Sequence, residues 1–149
     1  MRIALYQPEI AGNVGAILRL AACMNVGVDI IEPTGFVFSD ARLKRAGMDY
    51  VDHVMMQRHS DWSAFHAQRQ GRIILMTTKG TQSLYATAFE PSDILMFGQE
   101  SAGVPEAVAA ACDSRVRIPI APAARSLNLA VSAGIAIAEA LRQTGEMPV

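Results

Sequence analysis

The residue types best suited to chemistry lie in one stretch, Ile118–Ala130, which contains the letters IPIAPAARSLNLA. A short apolar strand reaches a proline, crosses a loop of small residues and enters a helix at Ser126 and Asn128. Pro119 and Pro122 lack backbone N–H groups and have fixed φ angles, which leaves neighbouring carbonyls and amides available to a ligand. The start of a helix favours anions and polar ligand atoms. This turn is therefore a candidate binding site, and a simple helix cap at Ser126 is the alternative.

Two other segments have the same character. Asn13–Arg19 (NVGAILR) follows an apolar strand and a turn, and Leu95–Pro105 (LMFGQESAGVP) is a strand that breaks at a glycine. Each of these segments is a strand end that becomes a helix start. In open α/β sheets, ligands bind at the carboxyl ends of the strands. The three segments therefore predict one shared site.

The elements that must position these segments alternate along the chain. Apolar runs of buried-strand length predict strands, and the patterns between them predict helices. The predicted strands are Ile3–Tyr6, Val28–Ile31, Ile73–Met76, Ile94–Phe97 and Val116–Ile120, and the predicted helices are Val14–Met24, Trp62–Gln70, Pro105–Ala111 and Leu127–Gln143. This order predicts an α/β fold, with a mostly parallel sheet covered by helices. We expect one domain, residues 1–149, because no repeat or linker interrupts the chain.

Composition narrows the classes of function. With 18% charged residues and a net charge of −1, the chain has no overall attraction to nucleic acid, so RNA contact would need local clusters. Cys23 and Cys112 lack a C-x-x-C spacing, which fits a reduced cytosolic protein. The first apolar stretch is too short for a signal peptide, and the most apolar helix is shorter than the roughly 20 residues of a membrane span. We expect a cytoplasmic protein that does not cross a membrane.

Other kinds of nucleotide or metal site fit these residues poorly. Gly12 and Gly15 lack the full G-x-G-x-x-G pattern of a dinucleotide turn, and Gly98 and Gly103 are not followed by the Gly-Lys-Ser/Thr of a P-loop. The histidines share no ligand spacing with the cysteines. We therefore predict no metal.

The three polar segments resemble, in order, the signature motifs of the SPOUT methyltransferases, which use S-adenosylmethionine (AdoMet). They have the forms N-x-G-x-x-x-R, F-G-x-E-x-x-G-x-P and I-P followed by R-S-L-N-L. Ile30–Phe36 (IIEPTGF), Arg42–Tyr50 (RLKRAGMDY) and Thr77–Gly80 (TTKG) are further similar to the small tRNA wobble-nucleotide 2′-O-methyltransferases of that superfamily. The resemblance covers the chain from about Ile3 to Gln143. It implies a SPOUT fold whose C-terminal segment forms a deep trefoil knot, which general topology rules would not predict.

The resemblance also implies roles for residues of the three motifs. Arg19, Asn13 and Asn128 would serve catalysis. Because a guanidinium is cationic and has no acceptor, Arg19 is better suited to fixing a phosphate or the 2′-oxygen than to acting as a base. Asn13 would orient Arg19 or the ribose, and Asn128 would hold the loop and the nucleophile. The residues implied in AdoMet binding are Met76, Gly98, Glu100, Ile118, Ile120, Ser126 and Leu127, with Gly98 lacking a side chain so that the cofactor can approach.

Two further surfaces are predicted for partners. Arg42, Lys44 and Arg45 would contact RNA from a short helix capped by Ser39 or Asp40, with Arg58 and Arg72 as weaker candidates. The last helix carries small residues that permit close helix approach, which suits an isologous homodimer. These residues are Ala130, Ala133, Gly134 and Ala138. The resemblance implies that the tRNA anticodon stem-loop bridges both subunits.

The expected function is AdoMet-dependent 2′-O-methylation of the wobble nucleotide of tRNA, either a cytidine or a modified uridine. Two alternatives stay open: ribosomal RNA 2′-O-methylation by the same fold, and a non-catalytic knotted dimer that binds RNA or nucleotides. Ala102, Ala130 and Ala138 depart from residues common in the subfamily, where arginine, serine or asparagine, and an aromatic residue occur. These departures concern the RNA side of the site rather than AdoMet binding.

Overall fold

The protein is described by a computed structural model over residues 1–45 and 51–149, and within these ranges its strands form one parallel sheet. The strands are β1 (Arg2–Tyr6), β2 (Gly27–Ile31), β3 (Met56–His59), β4 (Ile73–Met76), β5 (Gln82–Ser83), β6 (Ile94–Phe97) and β7 (Ser114–Arg117). Their spatial order is β3-β2-β1-β6-β4-β7-β5, and all neighbouring strands are parallel. The predicted α/β class with a parallel sheet is confirmed.

Helices cover both faces of the sheet. They are α1 (Ala11–Met24), α2 (Asp40–Arg45), α3 (Trp62–Gln68), α4 (Glu106–Ala110) and α5 (Leu129–Thr144), with short 3₁₀ helices at Val51–His53 and Leu84–Ala86. Along β1, Ile3 and Leu5 point into a core shared with α1 and α5, whereas Ala4 and Tyr6 point into a second core shared with α3 and α4. Central strands such as β4 and β6 are likewise buried on both faces.

The sequence patterns did not predict two of the strands, and a third strand begins and ends earlier in the chain than predicted. β3 contains the polar residues Gln57 and Arg58 on an exposed edge of the sheet, so it lacks the apolar run of a central strand. β5 has only two residues. β7 covers Ser114–Arg117 rather than Val116–Ile120, so Ile118 and Ile120 lie beyond the strand. Pro119 has no N–H to donate to a ladder, which is consistent with this earlier end.

The helix ends also differ from the prediction in ways that matter for the site. α5 begins at Leu129 because Asn128 is its N-cap, with its side chain accepting hydrogen bonds from the N–H groups of Ala130 and Val131. The simple cap role is therefore wrong for Ser126, which lies in the preceding loop. α1 begins at Ala11 rather than at residue 14, which places Asn13 in its first turn. The predicted α3 and α4 were each too long, since these helices end at Gln68 and at Ala110.

Candidate functional site

The carboxyl ends of β4, β6 and β7 lie side by side at the same end of the sheet. Met76, the last residue of β4, is level with Phe97 of β6 and with Val116 of β7. Gly98 and Ile118 follow shortly after these partners, so the register brings Met76, Gly98 and Ile118 to the same edge. Met76 is buried, and Ile118 and Ile120 are half-buried. The convergence expected from the three motifs is therefore present in the fold.

A chain of side-chain hydrogen bonds joins the three motifs. The Nδ2 of Asn128 donates to Oδ1 of Asn13 at 3.0 Å, and Nδ2 of Asn13 donates to Oε1 of Glu100 at 3.3 Å. An asparagine amide has both a donor and an acceptor, so Asn13 can connect an amide on one side to a carboxylate on the other. The start of α1, the loop after β6 and the start of α5 are thus fixed to one another. Each bond contributes on the order of 1 kcal/mol.

Glu9 extends this network and was missed by the sequence analysis. The backbone N–H of Glu9 donates to Oε2 of Glu100 at 3.0 Å, so both Glu100 oxygens accept a hydrogen bond. The Glu9 carboxylate in turn accepts a hydrogen bond from Oγ of Ser101 at 2.5 Å. Glu9 follows β1 closely, and the rule that strand ends meet would have placed it near the site. Its contribution through a backbone N–H carries no sequence signal.

Gly98 owes its lack of a side chain to the turn that follows it. Gln99 and Gly103 exchange two backbone hydrogen bonds of 2.8 and 2.9 Å, and Gly103 has a φ of +65°. A Cβ on Gly98 would lie 2.5 Å from the carbonyl carbon of Gly103. Real Cβ atoms do not approach other atoms so closely. The turn alone therefore requires glycine at this position. The predicted approach of a cofactor to Gly98 is an additional role that stays a prediction.

The loop between β7 and α5 presents its side chains to solvent. All residues from Ala121 to Asn128 are exposed, and the apolar side chain of Leu127 is 37% exposed. Together with Ile118 and Ile120, Leu127 offers apolar surface, while Ser126 offers a hydroxyl beside it. Apolar surface with a few placed polar groups is the composition of a site for a nucleoside-sized ligand. The donor set present here fits AdoMet.

Arg19 lies on α1, six residues after Asn13, and its side chain is exposed. The hydrogen bonds that join Asn13, Glu100 and Asn128 do not include it. A guanidinium can hold a phosphate or a developing negative charge on an oxygen. The catalytic role of Arg19 stays a prediction.

The cationic helix predicted for RNA contact is present as α2. Oγ of Ser39 accepts a hydrogen bond from the N–H of Arg42 at 3.2 Å, which confirms Ser39 as a cap. Arg42 and Arg45 are exposed. The side chain of Lys44 and residues 46–50 of the RLKRAGMDY segment lie outside what the structure describes.

Arg72 does not belong to this surface. Its guanidinium is held at the amino end of the sheet by Asp93, Glu90 and the carbonyl of Ala88. The hydrogen bond to Asp93 raises the pKa of Arg72. A guanidinium with these partners is committed to structure.

Residues 1–45 and 51–149 lack two features that are typical of other protein classes. Within these ranges, His, Cys, Asp and Glu side chains form no group of three that could hold a metal ion. The helices of the same ranges include none with the length and apolarity needed to cross a bilayer.

Comparison with known proteins identifies the family. A tRNA (cytidine(34)-2′-O)-methyltransferase of Beijerinckia indica is 51% identical over 148 residues, which cover 97% of this chain and 92% of that protein. A solved structure described as giving structural insights into the 2-OH methylation of C/U34 on tRNA has a TM-score of 0.89 at 42% identity, covering 95% of this chain and 94% of its own.

A second solved structure contains the cofactor. An AdoMet-bound rRNA methyltransferase from Sinorhizobium meliloti has a TM-score of 0.84 at 28% identity, and the match covers 95% of this chain and 55% of that one. The SpoU rRNA Methylase family matches residues 1–138. With a match over nearly the whole chain and a fold shared with these structures, the protein belongs to the SpoU rRNA Methylase family.

Proposed function

We propose that this protein is an AdoMet-dependent tRNA 2′-O-methyltransferase that modifies the ribose of the wobble nucleotide, a cytidine or modified uridine. The observation that carries the proposal is the hydrogen-bonded chain from Asn128 through Asn13 to Glu100, which unites three motifs at the carboxyl edge of the sheet. Support for the substrate comes from the 51% identical relative, which is named for cytidine 34 of tRNA. The name of this relative and the description of the 42% identical structure both favour the small anticodon substrate over ribosomal RNA.

AdoMet supplies an electrophilic methyl group with a good leaving group, so the protein must mainly align the attacking oxygen. Methyl transfer is an in-line displacement, in which alignment contributes most of the rate. The half-buried side chains of Ile118 and Ile120, together with Leu127, would flank the adenosine, and the hydroxyl of Ser126 would bind a polar edge. Met76 and Gly98 would form the floor at the strand ends. Glu100 would keep the surrounding loops in register.

The residues on the RNA side would orient the ribose. The guanidinium of Arg19 would bind a phosphate or the 2′-oxygen and stabilise negative charge as that oxygen attacks. Asn13 and Asn128 already hold each other at 3.0 Å, so a ribose between them and Arg19 would meet fixed partners. Arg42, Lys44 and Arg45 would bind backbone phosphates, which position an RNA without specifying its sequence.

The proposed assembly is a homodimer, and exposed apolar side chains support it. Ile10 before α1 is 50% exposed, and Val131 at the start of α5 is 51% exposed. Apolar surface of this kind at the edge of a site favours coverage by a partner. Ala133 is fully buried within the subunit, so Ala130, Gly134 and Ala138 remain of the four small residues predicted for the interface.

The trefoil knot is also part of the proposal. β7 lies between β4 and β5, which follow each other in sequence, so a later segment enters between two earlier ones. The Thr77–Thr81 turn crosses this segment closely: the N–H of Thr77 donates to the carbonyl of Val116, and Arg117 donates to the carbonyls of Gly80 and Thr81. A Cβ on Gly80 would lie 2.5 Å from the carbonyl carbon of Val116. This close crossing supports a threaded C-terminal segment.

Transfer of labelled methyl from AdoMet to tRNA tests the function. The substrate is bulk tRNA from cells that lack this modification, with ribosomal RNA assayed in parallel and the nucleosides identified by mass spectrometry. We expect a 2′-O-methylated nucleotide at the wobble position. Methyl incorporation into ribosomal RNA alone, or AdoMet binding without transfer to either RNA, would contradict the proposal.

A further inference from the structure

Arg58 on β3 is held over the ring of Phe38, which lies on the segment that follows β2. Its Cζ lies 4.4 Å from the centroid of the Phe38 ring, and its guanidinium pairs with the carboxylate of Glu32. Phe38 is stacked with Phe36, with centroids 6.2 Å apart and ring planes 26° apart, and both rings rest on the core shared with α1. The Arg58 side chain nevertheless keeps 43% of its surface exposed. We call Arg58, Phe38 and Glu32 the Arg58 platform.

Backbone contacts fix the segment that leads to this platform against the loop that carries the site network. The N–H of Gly35 donates to the carbonyl of Pro8 at 2.9 Å. A Cβ on Gly35 would lie 2.9 Å from Cα of Glu9, so the two segments touch without intervening space. Glu9 in turn donates its N–H to Glu100. The Arg58 platform and the Asn13–Glu100–Asn128 network are thus connected through one continuous set of contacts.

The composition of the Arg58 platform matches a known way of binding unpaired bases. Arginine guanidinium planes and aromatic rings stack on unstacked nucleobases in single-stranded RNA, and every base offers a π-face to such a surface. Glu32 and Phe38 restrict the rotamers of Arg58, so less conformational entropy is lost when a base stacks on it. The exposed cations Arg42 and Arg45 follow directly on α2 and can bind the adjoining phosphates.

We infer that Arg58 stacks on an unpaired nucleobase that neighbours the nucleotide whose ribose is methylated. This inference rests on the proposed function for the identity of the RNA. It assigns Arg58 a substrate-binding role: stacking of the neighbouring base stabilises the bound RNA and the transition state equally.

The coupling between Arg58 and a flanking base tests the inference. Three anticodon stem-loop RNAs are needed: one intact, one abasic on the 5′ side of the wobble nucleotide and one abasic on its 3′ side. Their Kd values are measured by fluorescence anisotropy, with S-adenosylhomocysteine present, for the natural protein, Arg58→Lys and Phe38→Leu. Arg115→Lys is the matched control, because Arg115 is also a strand arginine paired with a carboxylate, that of Glu106. Arg115 lies on β7, which is near the other edge of the sheet from β3.

We expect removal of one flanking base to weaken binding by the natural protein and the Arg115 variant about tenfold. The same removal should leave the Kd of Arg58→Lys almost unchanged, because lysine retains the charge without a stacking plane, and Phe38→Leu should lie between. On native tRNA, Arg58→Lys should raise KM about tenfold with an unaltered kcat. Equal losses for the natural protein and Arg58→Lys, or no loss for either, would overturn the inference.

These results separate the inference from the proposed function. If the natural protein methylates tRNA but no base couples to Arg58, the inference fails and the proposed function stands. If the coupling is present but no tRNA is methylated, the proposed function fails and the stacking role of Arg58 stands.

Discussion

Two clusters of charged and polar side chains, Arg2–Asp29–His59 and Arg72–Asp93, bury their carboxylates, whereas at the carboxyl end of the sheet polar side chains bond between loops and stay partly exposed. We call these two groups the buried clusters. Asp29 accepts two hydrogen bonds from Arg2, of 2.6 and 3.1 Å, and lies 2.8 Å from Nε2 of His59. Asp29 and His59 are only 4% and 5% exposed. Arg72 likewise binds both carboxylate oxygens of the fully buried Asp93 at 2.8 Å.

The carboxyl end uses weaker and more accessible contacts. Asn13 and Glu100 are half-buried, and Asn128 is exposed. Their hydrogen bonds hold loops in place but leave side chains able to meet a ligand. We therefore propose that the buried clusters serve folding and that the polar groups of the carboxyl end serve binding and chemistry. Variants whose stability and activity are measured separately can test this difference between the two groups of residues.

The largest effect is expected for Arg19→Ala. Loss of a positioned cation at the attacking oxygen should lower kcat about a thousandfold, while the Kd for AdoMet and the free energy of unfolding stay unchanged. The measurement is single-turnover methyl transfer, with AdoMet binding followed by calorimetry. Arg142→Ala is the control, because Arg142 is also an exposed helix arginine. A fully active Arg19→Ala protein would remove Arg19 from the catalytic residues.

Asp29→Ala should produce the opposite pattern. Removing this carboxylate leaves a buried histidine and a half-buried arginine without their partner, which should cost about 3 kcal/mol of unfolding free energy. Urea denaturation measures this loss, and kcat of the folded protein should be retained. Glu106→Gln, which opens an exposed ion pair with Arg115, should leave the urea midpoint unchanged. A loss of kcat without a loss of stability in Asp29→Ala would contradict the assignment of Asp29 to folding.

Glu100→Gln should have an intermediate effect on the site. Both Glu100 oxygens accept from N–H donors, and the glutamine NH₂ would face one of these donors instead of accepting from it. We expect kcat/KM to fall about tenfold, with the urea midpoint almost unchanged. Ser101→Ala, which removes only the hydrogen bond to Glu9, is the milder control. Wild-type kcat/KM in Glu100→Gln would show that the network does not position the site.

The smallest effect is a difference in thiol reactivity. Burial raises the pKa of Cys112, just before β7, to about 11, whereas Cys23 on α1 is exposed. A raised pKa keeps the thiol neutral below about pH 11, and the neutral form is unreactive. At pH 8, iodoacetamide should therefore label Cys23 and spare Cys112, as mass spectrometry of peptides would show. Equal labelling of both thiols would contradict the burial of Cys112.

The central strands could be predicted because they are continuous apolar runs. β4 and β6 match their predicted bounds. β3 could not be found this way, because an edge strand has one exposed side and tolerates residues such as Gln57 and Arg58. The end of β7 was misplaced because Ile118 and Ile120 have strand-like side chains, whereas their positions depend on the loop that follows.

The meeting of Asn13, Glu100 and Asn128 could be predicted from the rule that parallel strand ends share an edge. The match to the SpoU rRNA Methylase family confirms the resemblance on which their identification rested. The position of Arg58 over Phe38 could not be predicted, since it depends on the unrecognised strand β3. Nor could the reason for glycine at Gly98, which lies in the backbone approach of Gly103.

A crystal structure with S-adenosylhomocysteine most directly tests whether the polar groups at the carboxyl end, rather than the buried clusters, form the binding site. We expect the ligand at the carboxyl ends of β4, β6 and β7, in contact with Gly98, Ile118 and Leu127. The Arg2–Asp29–His59 cluster offers a competing location, because these residues help to line a cavity of about 450 Å³. Density for the ligand in that cavity, with the carboxyl ends vacant, would contradict the assignment of the binding site to the carboxyl ends.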